Sequence, residues 1–331
     1  MFKTSFFYTA EKLLPRTMSI VLLPILLRLI KPELWAEITL LLAIQFFISI
    51  FLTQGDENSI LKFTVDEELM SRSFTTVLKS GIIIFCILEI VGQIVNYFPF
   101  SIEYGLPFRF MFFATVLLSV NKLFVAKLKS LEKASKIFKS SLFESIFINI
   151  GQIILIATTV QIEGGFNTRV IVTAYFIIQF LGYFLKFLYL RKVLNFSFKN
   201  LIKNLFSKKP KDFLIFSNLS FAMLLTSYFL NWQDRFFVEF LFDLRELGIY
   251  SVALKIASFG AVFIYAITTS AYAKYWPRGE NTKLKKSVVK VTNELLIISS
   301  TVFISVGLIS TSNGKYIIPE SYWESLSLIF L

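Results

Sequence analysis

Long apolar runs follow one another along the chain and are separated by short polar stretches. A run of about 20 residues is long enough to cross the hydrocarbon core of a bilayer, about 30 Å thick, as a helix. Nine such runs are predicted to span a membrane: residues 8–30, 35–52, 80–98, 106–125, 142–162, 170–190, 213–242, 247–272 and 288–309. A tenth run begins near Ile317 and is cut off at Leu331. The pattern therefore predicts an all-α polytopic membrane protein of about nine transmembrane helices plus the start of a tenth.

Composition agrees with this pattern and excludes several kinds of chemistry. Of the 331 residues 55% are hydrophobic and 17% are charged, whereas about a quarter of a soluble domain is charged. The chain has no histidine, which excludes histidine acid–base catalysis and histidine metal sites. Its single cysteine, Cys86, leaves no intrachain disulfide and is expected to be a buried, apolar side chain. The connections are too short for a catalytic domain outside the membrane, so we expect no enzyme and no cofactor.

The net charge of +12 is distributed unevenly between the two sides of the predicted bundle. The alternate connections 53–79, 126–141, 186–212 and 273–290 carry 22 Lys and Arg residues, whereas the connections on the opposite side carry six. Such a bias places the basic connections and the N-terminus in the cytoplasm. We therefore interpret the positive charge as an orientation signal in a membrane, with attraction to membrane lipids and no binding to nucleic acid.

Two features suggest that the chain is divided into two halves. The basic stretch 196–212 is predicted to be a cytoplasmic connector between an N-terminal six-helix lobe, 1–195, and an incomplete C-terminal lobe, 213–331. A faint internal repeat supports this division, because the pairs Glu33-Leu34 and Glu246-Leu247 each open an even-numbered span. Transporters are often built from repeated half-bundles.

Polar residues inside the predicted spans recur at helical spacing. At least five spans carry such stripes: Gln45 and Ser49; Glu89, Gln93 and Asn96; Ser145, Asn149 and Gln152; Ser227, Asn231 and Asp234; Ser251, Lys255 and Ser258. Polar side chains within a membrane tend to face the bundle interior or a water-filled cavity. Helices around a polar interior and simple hydrogen bonds between neighbouring helices both explain the stripes, and the two interpretations stay open.

Basic residues inside the spans are the candidates for binding a substrate. Arg16 and Arg28 lie in the first span, Lys122 late in the fourth and Lys255 about two turns into the eighth. Several fixed cations in one cavity suit an anionic substrate such as a phosphate or a pyrophosphate. The alternative is that these long side chains reach out to the membrane interface. Lys255 is the candidate that we favour for the cavity.

Three stretches of sequence resemble one known family. They are LLPILLRLIKPELWAEITLLL followed by LTQGDENSILKF (22–63), Asp234-Arg235 followed by ELGIYSVA (246–253), and SYWESLSLIFL (321–331). Together they resemble the polysaccharide (O-antigen-type) flippases of the multidrug/oligosaccharidyl-lipid/polysaccharide exporter superfamily. Members of this family usually have twelve or more spans, so the second lobe is expected to be incomplete.

The resemblance implies two lobes around a central cavity and a transporter of the bacterial cytoplasmic (inner) membrane that works by alternating access. Its substrate would be an undecaprenyl-pyrophosphate-type oligosaccharide unit for polysaccharide, O-antigen or lipopolysaccharide synthesis. The polymerase and glycosyltransferases of the same pathway are the expected partners, and the coupling ion is not identified. Basic residues of the cavity are expected to meet the pyrophosphate, and the candidates here are Arg16, Arg28 and Lys255. Asp234 and Arg235, which lie inward on a neighbouring helix, are further candidates for the cavity as a partly neutralised pair.

Three other functions stay open. A cation-coupled multidrug exporter would use acidic residues such as Glu37, Glu89 and Glu294. A membrane enzyme of the same pathway would need a carboxylate-rich connection, and the only candidate, 54–68, is interpreted as a solvated connection with a short amphipathic helix. A shortened member that does not transport is the third.

Overall fold

The structure is a computed structural model that describes residues 2–63, 66–95, 105–162, 167–197, 207–257, 282 and 319–322. These residues form α-helices and one 3-10 turn, Glu320–Tyr322, with no strand among them. The helices are α1 (Phe2–Val21), α2 (Leu23–Leu29), α3 (Pro32–Thr53), α4 (Asp56–Phe63), α5 (Glu67–Val95), α6 (Leu106–Ser130), α7 (Ala134–Ile162), α8 (Thr168–Leu194), α9 (Lys211–Trp232), α10 (Asp234–Leu241) and α11 (Leu244–Ala257).

Six helical segments of the described chain are long and apolar enough to cross a membrane. They are Pro32–Thr53, Glu67–Val91, Leu106–Ser130, Ala134–Gln161, Thr168–Leu194 and Lys211–Leu241, the last of which combines α9 and α10. The prediction of an all-α polytopic membrane protein is therefore confirmed. The count of nine spans stays a prediction, because the end of the eighth and all of the ninth lie outside the described residues, as does most of the tenth.

The first predicted span, 8–30, is not a single helix. It is divided into α1 and α2 at Leu22. Pro24 has no N–H group, so the carbonyl of Ile20 loses its partner one turn later. The backbone continues through the break, because Leu22 donates to the carbonyl of Met18 at 2.9 Å and Leu26 donates to that of Leu22 at 3.1 Å. The seventh span has a corresponding break at Gln233, between α9 and α10.

Two predicted connections are largely helical. Within 53–79, α4 forms first and α5 already begins at Glu67. The start of α5 is fixed by Asp66, whose carboxylate accepts a hydrogen bond from the backbone N–H of Leu69 at 2.8 Å. Likewise α6 ends at Ser130 and α7 begins at Ala134, so the connection 126–141 shrinks to a short turn. The basic residues that were assigned to loops therefore lie mostly on the ends of helices.

Cys86 does not have the expected buried position. It is exposed on α5, on a side of the helix that also exposes Ile82, Ile83, Ile87 and Ile90. An exposed apolar face on a membrane-spanning helix is the face that contacts lipid, so a small apolar side chain is stable there without burial inside the protein.

Helix α3 lies between two groups of helices. On one side it packs against α5, α6 and α8, and on the other against α9 and α11. We call α1–α8 the first group and α9–α11 the second group. Aromatic rings line the α3–α9 contact, with centroid separations of 5.4 Å for Phe46 and Trp232, 4.9 Å for Phe47 and Tyr228, and 5.3 Å for Phe51 and Phe221. We call this contact the aromatic seam.

The glycine of the ELGIYSVA stretch allows α11 to approach α3 closely. A Cβ atom on Gly248 would lie 2.1 Å from the carbonyl oxygen of Pro32. Gly248 follows Glu246-Leu247, and Pro32 precedes Glu33-Leu34, so the two ends that share the Glu-Leu repeat are neighbours in space. The division into lobes 1–195 and 213–331 stays a prediction, and part of the connector, 198–206, lies outside the described residues.

Candidate functional site

A cavity of about 250 Å³ opens between the broken α1–α2 pair, α7 and α8. Leucines of α2 form one apolar wall. The opposite walls carry amide and hydroxyl groups, and most of the polar side chains in the lining belong to one short set: Ser19, Ser145, Asn149, Gln152, Gln179 and Lys255. The break at Leu22, which itself lines the cavity, therefore lies next to an interior space that is largely lined by polar side chains.

Helices α7 and α8 contribute two polar stripes to this cavity. The α7 stripe, Ser145, Asn149 and Gln152, is one of those predicted from helical spacing, and all three side chains line the cavity. The α8 stripe consists of Tyr175, Gln179 and Tyr183, which the sequence analysis missed. These three residues are four positions apart and so share one helical face. That spacing was the signal, but tyrosine and glutamine among aromatic neighbours did not stand out.

Gln152 has a hydrogen-bond donor inside the protein that no regular hydrogen bond satisfies. The residue is 5% exposed, and its Nε2 atom makes no regular hydrogen bond among the described residues; its side chain interacts only weakly with the hydroxyl of Tyr175. By contrast, Gln179 on the neighbouring helix accepts a hydrogen bond from Gln45 at 3.2 Å. A buried donor without a partner costs about 1–3 kcal/mol. The side chain of Gln152 is therefore suited to an acceptor atom that occupies the cavity.

The charges in the cavity favour an anion. Glu144 is the only carboxylate among the described lining residues. It already accepts a hydrogen bond from Lys186 at 2.5 Å, and Lys186 also donates to Ser141 at 3.2 Å. Lys186 neutralises Glu144, and Lys255 adds an ammonium group to the lining. The cavity therefore offers hydrogen-bond donors and a positive charge.

Lys255 reaches this cavity from the second group of helices. It lies near the end of the described part of α11, and its Nζ atom lies 4.7 Å from the centroid of the Trp35 ring on α3. A cation over an aromatic face is held by the negative charge of the ring face. Lys255 is the one lining residue, within the described chain, that comes from outside α1–α8. A relative movement of the two groups would therefore carry this charge into or out of the cavity.

The other candidate residues lie elsewhere. Arg16 follows Pro15, which lines the cavity, but Arg16 itself is exposed and does not belong to the lining. Arg28 is exposed near the end of α2. Lys122, in contrast, points into the bundle, where it donates a hydrogen bond to Ser49 at 3.0 Å. Of the predicted cations, the structure brings Lys255 alone to the cavity lining among the described residues.

Asp234 and Arg235 join the α9–α10 break to α11. Their side chains form an ion pair at 3.1 Å, and the hydroxyl of Tyr250 donates to Asp234 at 2.7 Å. Arg235 also donates to the carbonyl of Asn231 at 2.9 Å, and its guanidinium lies 4.3 Å from the centroid of the Trp232 ring. These contacts position the break, and neither side chain belongs to the lining of the cavity.

Two residues of the predicted polar stripes, Asn96 and Ser258, lie outside the described residues.

A second polar cluster lies where α4 meets the start of α9. We call Asp56, Ser59, Lys209 and Ser217 the α4–α9 cluster. Asp56 is 1% exposed; one carboxylate oxygen accepts from Ser217 at 2.9 Å and the other accepts from Lys209. The hydroxyls of Ser59 and Ser217 lie 2.8 Å apart. The interpretation of 54–68 as a solvated connection is therefore wrong at Asp56, whose partners come from a distant part of the chain. Among the described residues no group of carboxylates and cysteine is arranged to hold a metal ion.

The fold is that of a known class of membrane transporters. A crystal structure of MATE in the straight conformation is 14% identical, with a TM-score of 0.61 over 98% of this chain and 76% of that chain. A MOP superfamily transporter from Pyrococcus furiosus, for which reverse polarity of the binding pocket was taken to suggest a different function, is 13% identical, with a TM-score of 0.65 over 98% of this chain and 77% of that chain. No curated protein matches this chain.

The sequence also defines the family. Residues 1–273 match the family model described as polysaccharide biosynthesis protein. The chain therefore belongs to this family, and its fold is that of the MOP superfamily transporters. The resemblance on which the sequence analysis relied is confirmed.

Proposed function

We propose that this protein moves an anionic, lipid-linked oligosaccharide across the bacterial cytoplasmic membrane by alternating access, without a chemical step. The observation that carries the proposal is the position of Lys255, which brings a cation to a cavity whose one described carboxylate is already neutralised by Lys186. An undecaprenyl-pyrophosphate-type substrate supplies the anion, and its sugars supply acceptors for amide and hydroxyl donors. The N-terminus faces the cytoplasm in this proposal.

The size of the cavity limits what it holds. Pockets for drug-sized ligands have volumes of about 300–1,000 Å³, and this cavity is smaller, at about 250 Å³. It therefore suits one phosphate group or one sugar ring and not a whole oligosaccharide. Charge-assisted hydrogen bonds from Lys255 to phosphate are among the strongest polar contacts in proteins. We accordingly assign the charged head of the substrate to the cavity in this proposal.

A cation-coupled multidrug exporter is the second candidate, because solved MATE structures share the fold. Such a protein needs an unpaired carboxylate in its cavity. Of the acidic candidates, Glu89 forms two hydrogen bonds of 2.9 Å with Arg109, Glu37 is half-buried on α3 and does not belong to the lining, and Glu294 lies outside the described residues. The charge of the described cavity thus favours an anionic substrate.

The test is export of a surface polysaccharide in a strain that lacks its own flippase. Lys255→Ala should lower export about tenfold or more, since a hydrogen bond to a charged group contributes about 1.5–3 kcal/mol. Lys255→Arg should retain part of the activity, because it keeps the charge. Lys192→Ala removes an exposed lysine at the end of α8 and is the matched control. All variants are compared at equal amounts of protein in the membrane.

Two outcomes would contradict the proposal. Full export by Lys255→Ala would remove Lys255 from substrate binding. Purified protein in lipid vesicles that expels a cationic dye, but does not move a lipid-linked oligosaccharide, would establish the multidrug alternative. The glycosyltransferases and polymerase of the pathway are the partners that we expect for the transporter.

A further inference from the structure

The α4–α9 cluster connects the two groups of helices at one end of the bundle. Asp56 and Ser59 belong to α4 in the first group, Ser217 belongs to α9 in the second, and Lys209 lies two residues before the start of α9. All four side chains are more than nine-tenths buried. Each one also meets a partner within the cluster. The cluster is therefore a complete polar contact between the two groups, with no unfilled position in it.

The backbone of the α3–α4 turn also packs closely against the backbone of α9. Gly55 has φ +76° and precedes α4 directly. A Cβ atom here would lie 2.2 Å from the carbonyl oxygen of Ser217 and 2.7 Å from the backbone nitrogen of Phe221. Only glycine tolerates both the left-handed conformation and this separation. The turn between α3 and α4 is thus pressed against the backbone of α9.

A further polar contact joins the two groups beside this cluster. Arg72 on α5 donates a hydrogen bond to the carbonyl of Lys208. Farther along α9, the contact between the groups changes to the aromatic seam, where Phe51 packs against Phe221. Polar contacts are therefore concentrated at the end where α3 finishes and α9 begins.

Polar and apolar contacts behave differently when two bodies separate. Separating an aromatic seam exposes apolar surface, which is unfavourable in water. A buried ion pair contributes little net stability, because the attraction between its charges is offset by the loss of their hydration. When the contact opens, water solvates both charges and replaces the attraction. A large free-energy cost arises only when one partner is removed and the other charge stays buried. An ion pair between moving bodies therefore specifies one closed arrangement and releases at low cost when the contact becomes hydrated.

We infer that the α4–α9 cluster is a gate, closed in this structure, that opens when the start of α9 moves away from α4 during transport. This inference rests on the proposed function, and in the proposed orientation the gate lies on the cytoplasmic side. Asp56 and Lys209 hold the gate closed, Ser59 and Ser217 align its two faces, and Gly55 allows them to meet. When the gate opens, all four side chains become accessible to water.

A reversible cross-link tests the gate. The hydroxyl oxygens of Ser59 and Ser217 are 2.8 Å apart, so cysteines at these positions can form a disulfide with little movement. The double variant Ser59→Cys/Ser217→Cys is made in a Cys86→Ala background, which removes the one native thiol. Oxidation should cross-link the protein and reduce transport in lipid vesicles to background, and a reductant should restore it. Cross-linked protein that transports at the reduced rate would overturn the inference.

The matched control joins two positions within the first group. Gln54 and Ser80 lie at the same end of the bundle and are hydrogen bonded at 3.0 Å. The Gln54→Cys/Ser80→Cys pair is used once non-reducing peptide mapping shows that its disulfide has formed, because cysteine is shorter than Gln54. The cross-linked protein should keep its transport, because this disulfide does not join the two groups. Equal inactivation of both pairs would show that oxidation, and not closure, stops the protein. Failure of the proposed function is distinguishable, since the reduced protein would then move no oligosaccharide, and the same cross-link is tested on efflux of a cationic dye.

A second measurement does not depend on transport. The thiol of Ser59→Cys, in the same Cys86→Ala background, is labelled with a water-soluble maleimide in detergent. Labelling should be slow with the native pair and several times faster with Asp56→Lys, because two like charges hold the gate open. The exchanged pair Asp56→Lys/Lys209→Asp should label slowly again, which a merely unfolded variant would not do. Equal labelling of all three proteins would overturn the inference, as would failure of Ser59→Cys and Ser217→Cys to cross-link.

Discussion

The cavity and the α4–α9 cluster both bury polar side chains in an apolar helix bundle, but they differ in how their hydrogen bonds are used. In the cavity there is empty space, and Gln152 has a donor that makes no regular hydrogen bond among the described residues. In the cluster, Asp56 accepts a hydrogen bond at each carboxylate oxygen. Burial is common to both regions, so burial alone does not identify a binding site. The distinguishing features are space and unused donors, which the cavity has and the cluster lacks.

The two regions also differ in which helices build them. The cavity belongs to the first group except for Lys255. The cluster is shared between α4 of the first group and the beginning of α9. The cavity and the cluster therefore both depend on how the second group packs against α3. The cavity depends on it through Lys255 alone, and the cluster through its complete set of contacts. If the two groups move as proposed, a substrate in the cavity and closure of the cluster are coupled through the same movement.

The largest expected effect comes from removing one charge of the cluster. Asp56→Ala leaves Lys209 buried without its carboxylate, and such a loss costs about 3–5 kcal/mol. The free energy of unfolding, measured by thermal or denaturant unfolding in detergent, should fall by about this amount. Asp56→Ala/Lys209→Met removes both charges and should recover most of the loss. A single variant as stable as the native protein would show that the cluster is hydrated and unlike the closed contact described.

A somewhat smaller effect is expected at Gly55. Gly55→Ala adds a Cβ atom within 2.2 Å of the Ser217 carbonyl oxygen at φ +76°. The left-handed conformation costs about 1–2 kcal/mol and overpacking adds about 1–3 kcal/mol. Gly81→Ala is the control, since its Cβ atom would meet its nearest neighbour, a side-chain carbon of Val116, at an ordinary 3.5 Å. Equal stability of both variants would contradict the close approach of the α3–α4 turn to α9.

The sequence predicts much of the fold because each of its signals is local. Apolar length identifies the spans, and helical spacing identifies Ser145, Asn149 and Gln152 as one face. The ion pairs could not be predicted in this way, because their partners lie far apart in the chain. Lys186 and Lys209 were assigned to a basic connection, yet one pairs with Glu144 and the other with Asp56. Counting Lys and Arg in each connection predicts which side of the membrane the connection faces, but it does not predict which carboxylate pairs with a buried lysine.

The cavity was predicted only in part for a similar reason. Lys255 was favoured from its depth in the eighth span, and it does line the cavity. Asp234 and Arg235 also lie inside a predicted span, the seventh, but their side chains form an ion pair with each other and Asp234 accepts a hydrogen bond from Tyr250. Depth within a span shows that a charge needs a partner. Whether the partner is protein or substrate depends on the tertiary contacts.

Gln152→Leu separates binding from stability in the cavity. Replacing a buried, unpaired donor by an apolar group of similar size should leave the free energy of unfolding unchanged or raise it by about 1 kcal/mol. Transport should nevertheless fall, because one donor to the substrate is lost. Gln45→Leu is the contrasting variant, since Gln45 donates to Gln179 and its loss should lower stability. If Gln152→Leu lowered stability as much as Gln45→Leu, the Gln152 amide would have a partner within the protein.

The smallest effect is expected at the ion pair of Glu89 and Arg109, and it separates the two candidate functions. Their side chains remain 31% and 56% exposed, and exposed pairs contribute about 0–1 kcal/mol. Glu89→Gln should therefore change the free energy of unfolding by less than about 1 kcal/mol and leave polysaccharide export intact. In a cation-coupled exporter, loss of a coupling carboxylate would instead abolish transport while stability stayed the same. Measuring export and unfolding on the same Glu89→Gln protein distinguishes these results, because a peripheral ion pair and a coupling site have the same small stability effect and opposite effects on transport.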